Sequence, residues 1–169
     1  VLGGSLGSEK INEVICKSLF FLKKNKIKVT WQCGKNYYER YKTYEDKFIK
    51  IFPFLDEIDK FYDECDIIIS RAGALTISEL CIVGKPSILI PSPNVSENHQ
   101  FYNAKYLHDR NAVIMIEEKK VNKDFLVHLE SLLLSKEIRR KLTTGICKLA
   151  KPDATKDVVQ EINKILENA

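Results

Sequence analysis

The chain has 169 residues, 44% hydrophobic and 30% charged, with a net charge of +4. These values fit one globular domain with a sizeable core. The mild, dispersed positive charge suits an anionic ligand or a nearby anionic membrane but argues against nucleic acid as a partner, since no aromatic-basic RNA motif accompanies it.

Val1-Leu2 reads as the end of a strand, and the only methionine is Met115, so the chain reads as an excised piece of a longer protein. A turn, Gly3-Gly4-Ser5-Leu6-Gly7-Ser8, leads into a helix that places Ile11, Val14, Ile15, Leu19 and Leu22 on one face. Lys28 to Gln32 reads as the next strand, broken at Gly34, and Asn36 to about Tyr44 as a short polar helix. Phe48 to Ile51 is a strand closed by Pro53, and Asp56 is placed to cap a helix carrying Ile58, Phe61 and Tyr62. Ile67 to Ile69 is a further strand, followed by a helix from Leu75 to Val83 that stops at Gly84. Pro86 to Ile90 is a strand, Ser92 to Glu97 a polar loop, Asn98 to Asp109 a helix, and Ala112 to Ile116 the last strand. The remainder is helical, and Pro152 separates a helix near Glu137 to Leu149 from an amphipathic one bearing Val158, Val159, Ile162, Ile165 and Leu166. No apolar run reaches the length of a membrane span, and no signal peptide is visible. Five scattered cysteines without CxxC spacing support neither zinc nor disulfides.

Strand and helix alternating in this way predict an α/β fold, a Rossmann-like parallel sheet with helices on both faces, in which ligands bind beyond the carboxyl ends of the strands. The candidate residues fall at those ends. Glycines at Gly3, Gly4 and Gly7 allow close approach of backbone to a phosphate, and the following helix offers free N–H groups. No Gly-Lys-Ser/Thr follows, so this is not a Walker A loop, and GxGxxG is not matched. At Ser70-Arg71-Ala72-Gly73-Ala74-Leu75-Thr76-Ile77-Ser78-Glu79 the same layout recurs. Glu79 has two readings of equal weight. Thr76-x-x-Glu79 has capping-box spacing, while a carboxylate there could instead accept ribose hydroxyls. Arg71 fits a salt-bridged strand end better than a phosphate ligand. His99, Gln100 and Asn103 offer neutral donors and acceptors over one helical turn, suited to sugar hydroxyls, although by composition alone such a polar helix start reads as solvated surface. No Asp-x-Asp pattern supports a metal-chelated diphosphate, and no metal or other cofactor is expected.

Gly3-Gly4-Ser5-Leu6-Gly7, Gln32-Cys33-Gly34-Lys35, Phe54-Leu55-Asp56, Ser70 to Glu79, His99-Gln100-x-x-Asn103-Ala104 and Pro152-Asp153-Ala154 occur in the order found in the MurG glycosyltransferases, which the chain resembles over its whole length. The resemblance implies the C-terminal, donor-binding half of a GT-B enzyme, residues 1–169, with the N-terminal acceptor domain absent. Such enzymes move N-acetylglucosamine from UDP-GlcNAc onto lipid I with inversion, forming lipid II in peptidoglycan synthesis on the cytoplasmic face of the bacterial membrane. By the resemblance, Gly4, Ser5 and Gly7 face the diphosphate, Leu55 meets uracil through its backbone, and Ile58 lines that pocket. Ala74, Leu75 and Thr76 sit against phosphates and sugar, Glu79 takes the ribose, and Gln100 with His99 contacts the N-acetylglucosamine. The general base is expected in the absent half, so this piece should bind donor without catalysing. Two other readings are a donor subunit of a different UDP-sugar GT-B transferase and a non-catalytic nucleotide-binding module.

Overall fold

The computed structural model describes residues 1–4 and 6–167. Ser8 accepts a hydrogen bond from the Ile11 N–H (3.3 Å) and so caps α1 (Glu9–Lys24). The five apolar residues expected on one face of α1 are all buried. β1 (Val29–Gln32) follows. The expected polar helix is a single α turn, α2 (Tyr38–Tyr41), between 3-10 turns at Lys35–Tyr37 and Lys42–Tyr44. Tyr41 breaks the polar pattern. It is buried against Trp31, with ring centroids 4.9 Å apart.

β2 (Ile49–Phe52) leads to α3 (Ile58–Glu64), whose N-cap is Glu57 without a side-chain hydrogen bond. Asp56, expected as the cap, stands one residue too early. β3 (Ile68–Ser70) runs into α4 (Ala74–Val83), and α4 ends on Gly84 in the left-handed region at φ 69°. β4 (Ser87–Leu89), α5 (His99–His108) and a two-residue β5 (Ile114–Met115) complete the alternation. α6 (Val121–Leu134), α7 (Lys136–Cys147, capped by Ser135) and α8 (Ala154–Glu167) close the described chain. α8 is the expected amphipathic helix, and its apolar residues are exposed.

All strand pairs are parallel: β1 with β2, β3 with β4, and β4 with β5. Leu2 joins the two sets, bridging Gln32 on one side and Ser70 on the other. Its N–H donates to the Ile69 carbonyl at 2.8 Å, and the Gln32 N–H donates to the Val1 carbonyl at 2.9 Å. Successive strand residues face opposite layers. Ile69, Ile88 and Ile90 pack with α1 and α6, while Ile68 and Leu89 pack with α3, α4, α5 and α7. The predicted parallel sheet with a helical layer on each face is therefore present.

Candidate functional site

The glycine turn is shaped by close backbone approach. The Gly3 N–H donates to the Gln32 carbonyl (3.1 Å), and the Gln32 side-chain amide donates to the Gly4 carbonyl (2.8 Å). Gly7 has φ 86°, and a Cβ there would sit 2.1 Å from the Cys33 carbonyl oxygen, so no other residue fits. Gly34 is pressed against Gly7 from the opposite side, which accounts for the glycine in Gln32-Cys33-Gly34-Lys35. Gly4 also has positive φ (83°), but a Cβ there would meet nothing within 4 Å. Its outer side is open. Ser5 lies outside the described residues.

Beneath this turn, Asn12 is fully buried. Its Nδ2 donates to the Cys33 carbonyl (2.8 Å), and its Oδ1 accepts from Trp31 Nε1 (2.9 Å). The pair of bonds locks the start of α1 to the end of β1.

The β3–α4 turn is held differently. Gly73 is the N-cap of α4 and makes no side-chain cap bond, so Thr76 is the third helical residue and Glu79 lies in the second turn. The capping box does not form. The N–H groups of Ala74, Leu75 and Thr76 are first-turn donors without intrahelical acceptors. Two side chains of α5 grip the preceding peptide. Asn103 Nδ2 donates to the Ala72 carbonyl (3.1 Å), and Gln100 Oε1 accepts from the N–H groups of Ala72 (3.4 Å) and Ser92 (3.0 Å). These contacts fix the Gln100 amide with its oxygen inward. Its Nε2 has no protein partner among the described residues, leaving two donors for a ligand.

Glu79, with its carboxylate free of capping, accepts a hydrogen bond from the Tyr62 hydroxyl at 2.9 Å. Tyr62 is 6% exposed. Burial first, and then the Glu79 carboxylate beside it, push its phenol pKa well above the ordinary tyrosine value, so it stays protonated and donates. Leu55 is buried after β2. Ile58, at the start of α3, packs on the core layer that contains Tyr62.

A cleft of about 780 Å³ opens between the two turns, lined among others by Gly4, Gly7, Lys10, Arg71, Gly73, Thr76, Ser92 and Gln100. Its cations are already matched. Arg71 donates to the Ile90 carbonyl (2.9 Å) and pairs with Glu118 at 2.6 Å, both side chains mostly buried, while Lys10 pairs with Glu13 at 3.4 Å. Glu9, also on the wall, pairs with Arg40 at 3.8 Å. An anion bound here would therefore rely on backbone N–H groups and the two helix N-termini more than on free side-chain cations.

Of the residues singled out from the sequence, Gly4, Gly7, Thr76 and Gln100 converge on this cleft. Ala74 and Leu75 are exposed on the first turn of α4, Leu75 strongly so (80%). Glu79, Leu55 and Ile58 lie outside the cleft walls. His99 is exposed, and its Nδ1–H donates to the Ser96 carbonyl of its own turn (2.9 Å). Asn103 is turned inward onto Ala72. Arg71 has the salt-bridged arrangement expected for it. Sequence reading missed Asn12 and the Tyr62 hydroxyl. A polar residue on the apolar face of α1 was the available signal for the first; nothing local marked the second.

The glycosyltransferase family 28 C-terminal domain matches residues 1–161. The chain is 44% identical over 169 residues to the UDP-N-acetylglucosamine--N-acetylmuramyl-(pentapeptide) pyrophosphoryl-undecaprenol N-acetylglucosamine transferase of Flavobacterium psychrophilum, covering 99% of this chain and 46% of that protein. The protein of the same name from Christiangramia forsetii is 42% identical over 168 residues, with 99% and 46% covered. The crystal structure of Acinetobacter baumannii MurG is similar with a TM-score of 0.82 at 31% identity, over 96% of this chain and 48% of that one. The chain thus spans about half the length of the curated relatives it matches. Its fold is that of the matching part of a GT-B glycosyltransferase, and it belongs to the glycosyltransferase family 28 C-terminal domain family.

Proposed function

We propose that this chain is the UDP-GlcNAc-binding half of an inverting N-acetylglucosaminyltransferase that converts lipid I to lipid II in peptidoglycan synthesis. The observation that carries the reading is the convergence of Gly4 and Gly7, the first turn of α4 and the Gln100 amide on one cleft whose side-chain charges are already paired. A diphosphate needs many donors at close range, and two helix N-termini supply them. Gly4, Ser5 and Gly7, with Ala74, Leu75 and Thr76, take the diphosphate. Gln100 presents its two N–H donors to hydroxyl or carbonyl oxygens of the sugar, with His99 and Asn103 supporting that helix. Glu79 accepts the ribose hydroxyls, and Leu55 and Ile58 form the uracil site. No metal or other cofactor is assigned.

The acceptor and the general base that deprotonates its hydroxyl belong to the part of the enzyme this chain does not span, so the chain alone binds donor and does not turn over. The whole enzyme works at the cytoplasmic face of the bacterial membrane as a peripheral protein, and nucleic acid is not among its partners. No helix among the described residues is long and apolar enough to cross a membrane. The names of its relatives favour this reading over a donor subunit of another UDP-sugar transferase or a non-catalytic nucleotide-binding module. Calorimetry on the chain tests it: UDP-GlcNAc binds in preference to GDP- and ADP-sugars, and equal binding of all three would contradict the assignment.

A further inference from the structure

We propose that Tyr62 is a positioning residue for Glu79, holding one carboxylate oxygen so that the other is presented to a vicinal diol, the ribose of the bound nucleotide. The inference rests on the reading of Glu79 as the ribose ligand. Its observation is the 2.9 Å bond from the Tyr62 hydroxyl on α3 to Glu79 Oε2 on α4, across 17 residues of sequence. Glu79 is exposed and forms no ion pair among the described residues. An exposed glutamate without such a partner samples several rotamers, and each must be given up when ligand binds. Tyr62 has no such freedom, because its ring is buried in the core layer between α3 and α4. A rigid donor thus fixes a flexible acceptor.

The bond is not explained by the needs of the tyrosine alone. Tyr41 is buried more deeply, and its hydroxyl has no hydrogen-bond partner among the described residues, so burial of a tyrosine ring in this fold does not by itself bring a carboxylate to its hydroxyl. The carboxylate has about four acceptor positions, and Tyr62 occupies one. The remaining oxygen can receive two adjacent hydroxyls, which is the pattern of a 2′,3′-diol.

The test compares UDP with 2′-deoxy-UDP by calorimetry on the unaltered chain, on Tyr62→Phe, on Glu79→Gln and on the double variant. Tyr62→Phe keeps the ring and its packing. It is expected to weaken UDP binding about three- to tenfold and 2′-deoxy-UDP, which keeps only the 3′-hydroxyl, by less, so that the preference for the ribonucleotide shrinks. Glu79→Gln is expected to shrink it further, and adding Tyr62→Phe to Glu79→Gln to change little more, as for two groups acting as one unit. A full ribonucleotide preference in Tyr62→Phe, with only the melting temperature lowered, would overturn the inference and leave the ribose reading intact. Equal binding of the two nucleotides by the unaltered chain would overturn the ribose reading itself, and the inference with it.

Discussion

The two turns that face each other across the cleft present the same feature, a helix N-terminus, but they are built by opposite means. The Gly3–Ser8 turn is fixed by what is missing: Gly7 and Gly34 approach so closely that no side chain fits between β1 and the start of α1. The β3–α4 turn is fixed by what is added. A Cβ at Gly73 would have its nearest neighbour at 3.9 Å, and the turn depends instead on the Gln100 and Asn103 amides of α5 gripping Ala72. The first turn is therefore intolerant of an added atom at Gly7 or Gly34, whereas the second is sensitive to removal of distant ones.

That contrast can be broken most severely at Gly7. Gly7→Ala adds a Cβ against the Cys33 carbonyl at a positive φ. It is expected to cost more than about 3 kcal/mol, enough to unfold much of the chain in a chemical denaturation series. On the other side, Asn103→Ala leaves the Ala72 carbonyl without its donor. An expected loss of about 1–3 kcal/mol in the same series, together with weaker UDP-GlcNAc binding, would place Asn103 as a clamp. Unchanged stability with weaker binding would instead make it a direct sugar ligand. Gly4→Ala sharpens the comparison within the first turn, since Gly4 has the positive φ of Gly7 but open space around it. Only the conformational cost of about 1–2 kcal/mol is expected there.

A smaller effect is read in the pH dependence of stability. The Tyr62 pKa is raised by burial and by Glu79. The stability this shift contributes is fully present below the unfolded tyrosine pKa of about 10 and is lost as pH rises toward the folded value. Melting temperatures taken from about pH 9 upward should therefore fall less steeply in Tyr62→Phe than in the unaltered chain.

Much of the fold was legible because the apolar runs and helical periods are strong. Ile67 to Ile69 and the face from Ile11 to Leu22 led directly to buried elements. The errors have physical causes. Thr76-x-x-Glu79 has the spacing of a capping box, but the helix begins directly after Gly73, so both residues stand too far along it to cap. Asp56 has the residue type of a cap, but the chain enters α3 through Glu57. In the candidate site, glycine positions were legible because positive φ and close approach leave a mark in the sequence. The Ala72 clamp and the Tyr62–Glu79 bond were not. Each joins residues 17 or more positions apart, and no local pattern encodes which pairs the sheet will bring together.

The central claim is that two differently built turns bind one ligand. Backbone amide NMR of the chain, titrated with UDP-GlcNAc, tests it most directly. The account predicts that the amides of Gly4 and Gly7 and those of Ala74, Leu75 and Thr76 shift together along one saturation curve, with the Gln100 side-chain NH₂ moving with them. Shifts confined to one turn, or two groups saturating at different concentrations, would contradict it.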